Sequence, residues 1–311
     1  MFTRTRFQIL SILLMFSAVF YGCGNENAGQ PDTSLLTVTD LAGRTVSFAA
    51  YPKRIISLAP SNTEILFALG AGQNIVGRTK YCDFPAEALS ITNIGDLGNP
   101  DRELVLSLNP DCIVASYKTQ AQLFDFFSRY NIPVIISEAT SFNQIAESIN
   151  LLGNATNKKD AAEKIVQGLK EKTAKLEKQL EGTVPVRCYY AVSFGNYGNW
   201  TAGKGSFLHD IIEKAGGENL GAVIGKPWGE ISPETIVSLN PDVVILGKYS
   251  GPVGTLASSA GLRELVAVKN NRIIVVDDDL VGRPGPRIVD GLQELAEKLH
   301  PDVFIKRDVQ P

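Results

Sequence analysis

Beyond Ser34 the chain alternates between short apolar runs and segments whose apolar residues recur every three or four positions. The first texture predicts buried strands and the second amphipathic helices. Val38–Phe48 ("VTDLAGRTVSF") reads as a hairpin turning at Gly43. "RIISLAP" is a strand, and "SNTEILFALGAG" is a helix ended by Gly70 or Gly72. In that helix Ser61 and Glu64 have the spacing of a capping box. "NIVGRT", "DCIVAS" and "IPVIIS" continue as strands, with helices at "TQAQLFDFFSRY" and "SFNQIAESINLLG". After Pro185 a second series follows. Its strands are "RCYYAVSF", "DVVILG" and "RIIVVD", and its helices are "SFLHDIIEKAGG", "ETIVSL", "SAGLRELVAV" and "RIVDGLQELAEKL". Strands alternating with helices predict parallel α/β sheets.

Between the two series the texture changes. Asn157–Glu181 is rich in Lys, Glu and Ala, with Ala162, Ile165, Val166, Leu169, Leu176 and Leu180 on one helical face. A helix of that length spans roughly 38 Å, long enough to be a rod joining two lobes.

The halves also share a spelled-out segment. "SLNPD" occurs at Ser107–Asp111 and again at Ser238–Asp242. Laid without a gap, "GNPDRELVLSLNPD" and "GEISPETIVSLNPD" agree at seven of fourteen positions. Each piece predicts a helix-to-strand corner. Asp101 and Ser232 serve as N-caps, Asn-Pro stops the helix, and Asp opens the next strand. Glu103 and Glu234 fall in the two first turns, where the helix dipole favours an acid. In two lobes related by pseudo-twofold symmetry they also form a matched pair, suited to a two-fold partner carrying Arg or Lys.

The 311 residues carry a net charge of −3 and no basic patch, so nucleic acid is not expected as a partner. Arg4 and Arg6 precede an apolar run from Phe7 to Phe20, the pattern of a secretory leader. The run ends in Phe20-Tyr21-Gly22-Cys23, similar to a bacterial lipobox with Cys23 as the lipidated residue. Gly24–Ser34 reads as a tether. The expected organisation is a signal peptide (1–22), a lipid-anchored tether (23–35), an N-terminal lobe (36–154), a linking helix (155–183) and a C-terminal lobe (184–311). Cys112 and Cys188 lie in apolar runs and read as buried thiols; with Cys82 the count is odd, and no Cys-x-x-Cys suggests a thiolate metal site. His209 and His300 read as structural, and no metal site is expected. A secreted α/β enzyme is the rival reading, but "GAGQNIVG" and "GKGS" lack the context of nucleotide loops, and no nucleophile has a partner base.

Four aromatics sit in polar or turn-rich segments: Tyr81, Tyr117, Trp200 and Trp228. Flat side chains in such places suit a bulky planar ligand. With "PSNTE", "YCDFP", "GGEN", "PWGEISPE" and "RPGPR" in this order, the chain resembles the helical-backbone class of ABC-importer periplasmic binding proteins. Members of that class carry vitamin B12, iron–siderophore complexes or haem, and the motifs are most similar to those of the cobalamin binders. The resemblance implies two Rossmann-like lobes joined by one long helix, with no enzymatic activity and no resident cofactor. It implies a corrinoid between the lobes, with haem or a ferric siderophore as alternatives. It implies a cleft lined by Tyr81, Trp200, Trp228 and Arg287. Leu97 stands at the first-lobe equivalent of Trp228, and Tyr117 lies one step from another aromatic position of the pattern. It further implies docking of Glu103 and Glu234 on a permease dimer that works with ATPase subunits. The protein is expected to be a monomer, lipid-anchored in the periplasm or on the outer face of the cytoplasmic membrane.

Overall fold

The computed structural model describes residues 36–195, 198–258 and 262–305, apart from the side chains of residues 117–122 and 257. The expected leader, Cys23 and the tether lie outside the described residues. Among the described residues no helix is long and apolar enough to cross a membrane.

The N-terminal lobe opens with the expected hairpin, β1 (Leu36–Thr39) and β2 (Thr45–Phe48), which turns through Gly43 at φ 76°. Buried Asp40 ties it down by accepting hydrogen bonds from the backbone N–H groups of Ala42, Arg44 and Ile136. There follow β3 (Ile55–Ser57), α1 (Pro60–Ala68), β4 (Ile75–Arg78), α2 (Arg102–Ser107), β5 (Cys112–Ala115), α3 (Tyr117–Ser128), β6 (Val134–Ile136) and α4 (Phe142–Ala155). Helix α5 (Lys159–Leu180) joins the lobes. At 22 residues it is roughly 33 Å long. Its buried stripe is Ala162, Val166, Leu169, Thr173, Leu176 and Leu180; Thr173 fills the gap in the apolar pattern by donating its hydroxyl to the Leu169 carbonyl.

The C-terminal lobe comprises β7 (Val186–Ala191), β8 (Trp200–Ala202), α6 (Phe207–Lys214), β9 (Gly217–Asn219), β10 (Trp228–Glu230), α7 (Pro233–Leu239), β11 (Val243–Gly247), α8 (Val253–Ser258), α9 (Val266–Lys269), β12 (Ile273–Val276), α10 (Asp278–Val281), α11 (Ile288–Leu299) and α12 (Pro301–Ile305). The helix expected over "SAGLRELVAV" is instead a 3-10 turn at Leu262–Glu264 followed by α9, because Leu265 takes an extended ψ of 142° between them.

Each lobe has its own parallel four-stranded sheet, ordered β4-β3-β5-β6 in the first and β9-β7-β11-β12 in the second. Counted along each lobe, both orders read second, first, third, fourth, so the duplication in sequence is a duplication in topology. The repeated corner has the same chemistry twice. Asn109 and Asn240 adopt the left-handed conformation at φ 46° and 43°, which asparagine tolerates better than most residues. Arg54 and Arg187, at the first strand of each sheet, donate to the last carbonyls of α2 and α7, and their own carbonyls accept from Asp111 N and Asp242 N. The side chains of Asp101 and Ser232 accept from Leu104 N and Thr235 N as N-caps.

Strand residues alternate between two cores, as a period of two requires. Ile56, Ile113 and Ile136 pack in a core private to the first lobe, and Tyr189, Val244 and Leu246 in one private to the second. Ile55, Cys112, Ile135, Cys188, Tyr190, Val243 and Ile245 face a third core built with α1, α4, α5, α6 and α11 that runs through both lobes. The lobes are therefore joined by continuous apolar packing as well as by α5. Cys82, Cys112 and Cys188 are all buried free thiols.

Candidate functional site at the lobe boundary

In a sheet of this order the chain leaves the first and third strands in opposite directions, which opens a crevice at their C-terminal ends. In the first lobe those ends lead into α1 and α3, and in the second into the segments after Ala191 and Gly247. The first of these ends, at α1, meets the second lobe through charged groups.

The C-terminal lobe holds its two tryptophans on a small ribbon. Strands β8 and β10 pair antiparallel, with Trp228 opposite Ala202 and Trp200 opposite Glu230. Directly paired residues share a face, so both indoles project from the same side. Trp200 is 42% and Trp228 36% exposed, high for the largest apolar side chains in a folded body. The Trp228 ring packs at 5.9 Å against Phe207, in the first turn of α6. Gly198, at φ 76°, has no space for a Cβ beside Glu230 Oε1 and the Trp200 indole nitrogen, so glycine there lets the ribbon close.

The N-terminal lobe contributes Tyr81, 46% exposed. Its hydroxyl donates to Asp96 Oδ2 at 3.3 Å, and the Lys80 ammonium sits 2.6 Å from the same oxygen and 4.8 Å from the Tyr81 ring centre. Leu97, next to Asp96, is partly buried. Tyr81 and the Leu97 loop are thus tied together through one carboxylate. Tyr117 begins α3, and its side chain lies outside the described set.

Arg287 is engaged rather than free. It donates from Nε to Glu64 Oε2 at 2.8 Å and from Nη2 to Glu64 Oε1 at 2.6 Å, while its guanidinium lies 3.7 Å from the Phe84 ring centre. Arg283 donates to the same Glu64 at 3.1 Å and to Asp83 at 2.7 Å, and pairs with Asp279 at 2.7 Å. Glu64 does not close a capping box. Helix α1 starts at Pro60 behind Ala59, which makes no side-chain cap, and the Glu64 side chain is 2% exposed among arginines of the other lobe. Beside this cluster Lys248 bridges Asp277 and Asp279, each at 2.6 Å, and Tyr249 donates its N–H to Asp278. Glu64, Asp83, Phe84, Asp279 and Arg283 are the members that sequence reasoning missed. The available signal was the pair of arginines four apart in "RPGPR".

Burial opposes ionisation of Asp83, but the hydrogen bond and charge of Arg283 outweigh it, and the pKa falls below its ordinary 3.8. An acid held low stabilises the fold above its ordinary pKa, and that contribution is lost as pH falls through the depressed value. The stability difference between the parent protein and Asp83→Asn should therefore be constant from pH 8 to about 5 and shrink toward zero once pH drops below about 3.8. Urea unfolding across that range checks this; a gap that does not begin to shrink below about 3.8 contradicts it.

Glu103 and Glu234 are exposed in the first turns of α2 and α7. The N–H of Asp101 donates to Ile94 O, and Ile94 N donates to Arg78 O at the end of β4, so α2 begins at the C-terminal edge of the sheet. Helix α7 begins after β10, where Ile231 N donates to Asn199 O and Val192 N to Trp200 O at the end of β7. Both acids thus lie toward the edge that carries the aromatics. His209 Nδ1 lies 3.2 Å from Asn219 Nδ2, and His300 Nε2 lies 2.9 Å from Gly216 O, both within the C-terminal lobe. Among the described residues no group of three or more His, Cys, Asp or Glu side chains could hold a metal ion.

Comparison with known proteins agrees with this architecture. The uncharacterized ABC transporter substrate-binding lipoprotein YvrC of Bacillus subtilis (strain 168) is 32% identical over 97% of this chain and 99% of its own. A vitamin B12-binding protein of Photorhabdus laumondii is 25% identical over 82% of this chain and 90% of its own. The solved periplasmic heme-binding protein RhuT of Roseiflexus sp. RS-1 superposes with a TM-score of 0.73 at 26% identity, over 81% of this chain and 99% of its own. The family described as periplasmic binding protein, whose members bind and hand over substrates rather than catalyse reactions, matches residues 55–280. The chain belongs to the periplasmic binding protein family and is a substrate-binding component of the ABC type.

Proposed function

We propose that this protein is the lipid-anchored, extracytoplasmic receptor of an ABC importer and carries cobalamin or a related corrinoid between its lobes. The observation that carries the reading is the pair of exposed indoles fixed on one face of the β8–β10 ribbon. Two rigid aromatic faces offer a broad contact to a macrocycle with little rotamer entropy to lose. Exposed Tyr81 and neighbouring Leu97 would supply the first lobe's share of the contact, with Tyr117 as a further candidate from the family pattern, and Arg287, held by Glu64, lies between the lobes. The likeness to vitamin B12-binding proteins supports the choice of ligand. Glu103 and Glu234 dock on paired arginines of a permease dimer, and Cys23 bears the lipid.

Haem is the second reading, favoured by the likeness to RhuT and by the exposed Tyr81 hydroxyl, an oxygen donor of the kind that ligates haem iron. Removing both indoles tests the aromatic wall. Each half-exposed Trp offers a contact worth about 1–2 kcal/mol, so Trp200→Ala with Trp228→Ala should weaken cyanocobalamin binding about 30- to 700-fold by calorimetry. Unchanged affinity removes the wall from the account.

A further inference from the structure

Glu64 is the most enclosed charge on the lobe boundary, and neither cargo contact nor permease docking accounts for it. It projects from α1 of the first lobe and accepts three side-chain hydrogen bonds from the second, two from Arg287 and one from Arg283. Two guanidinium groups of the second lobe thus face two carboxylates of the first, Glu64 and Asp83, while Asp279 flanks Arg283 from its own lobe. The Phe84 ring closes over Arg287, and a Cβ added at Gly285 would already come within van der Waals contact of the Ser61 backbone.

From this geometry we infer that Glu64 is a clasp that sets the angle between the lobes. The argument turns on direction. Apolar packing in the shared core is non-directional and tolerates small rotations of one lobe on the other. The Arg287 fork is planar and bonds both carboxylate oxygens, so it fixes distance and orientation together. Opening the lobes would pull Glu64 from both arginines at once and break three charge-assisted hydrogen bonds together. Pairing of Arg283 with Asp279, on its own lobe, keeps that guanidinium aimed at the boundary. The clasp thus holds one lobe angle in the ligand-free protein, and with it the separation of Glu103 and Glu234. This inference does not depend on which cargo is carried.

Spin labels test it. In the full chain carrying Cys23→Ser, the three remaining thiols are buried and resist labelling. Labels at Arg129→Cys and Asn270→Cys, exposed sites on the first and second lobes, report the inter-lobe distance by dipolar electron paramagnetic resonance. The ligand-free parent should give one narrow distance. Glu64→Gln preserves volume and removes the charge, and should broaden the distribution at least twofold. Arg287→Lys keeps the charge but cannot bond both oxygens, and should broaden it by an intermediate amount. A side chain that merely fills space would leave the Gln variant at the parental width. If Glu64→Gln does not fold, Arg287→Lys carries the test. A folded variant with the parental distribution overturns the clasp.

Discussion

Glu64→Ala is expected to lower the unfolding free energy by about 3 kcal/mol, at the low end of the range for removing one partner of a buried ion pair. The side chain is 2% exposed and accepts three hydrogen bonds from two arginines. Removing it leaves Arg287 with a weak bond to the Asp279 carbonyl at 3.4 Å and its stacking on Phe84. Arg283 keeps Asp83 and Asp279, which limits the loss. Surface pairs of this protein set the contrast. Lys159–Glu163 is 3.8 Å long with both side chains well exposed, and its removal should change stability by less than about 1 kcal/mol. Urea unfolding followed by far-ultraviolet circular dichroism compares the two. Equal, small effects at both sites would show that Glu64 is no more than a surface-type charge.

Reversing both exposed acids proposed to dock on the permease should have the largest functional effect. Glu103→Arg with Glu234→Arg is expected to abolish transporter-dependent uptake while leaving ligand affinity within about twofold of the parent. Both residues are exposed, and neither bonds a side chain of the boundary cluster. The local cost is modest, since an acid in a first helical turn contributes about 0.3–1 kcal/mol. At an interface the same change sets like charges against each other twice, a penalty of several kcal/mol. The pKa of Glu234 is lowered by hydrogen bonds from its own N–H and from Ser232. Uptake assays with matched calorimetry separate the outcomes. Surviving uptake removes the docking role, and lost affinity would mean that the acids act on the ligand.

The two-lobed build was legible because it rests on local rules. Apolar runs located every strand of the two sheets except β9, whose three residues Gly217–Asn219 carry no apolar side chain, and the doubled "SLNPD" corner marked the same turn in each lobe. The left-handed asparagines and capping side chains then appeared where those residue types are favoured. The ribbon of β8 and β10 was hidden because each strand is three residues long and embedded among glycines, too short for a period to register. Glu64 was misread for a different reason. Its spacing from Ser61 satisfies a local rule, but Pro60 already starts the helix, and the partners lie 219 and 223 positions away. Only the fold brings "PSNTE" against "RPGPR". Local chemistry therefore predicted the scaffold, while long-range pairing completed the boundary.

The most direct measurement of the central claim is a binding titration with the full-length protein. Cyanocobalamin and haemin are each mixed with it in excess, unbound compound is removed by gel filtration, and the visible spectrum of the protein fraction is recorded. The account predicts one corrinoid retained per chain, and much less corrinoid retained by the Trp200→Ala/Trp228→Ala variant. Retention of haemin with no corrinoid would reassign the cargo, and retention of neither would contradict the claim that the boundary between these lobes holds a macrocycle.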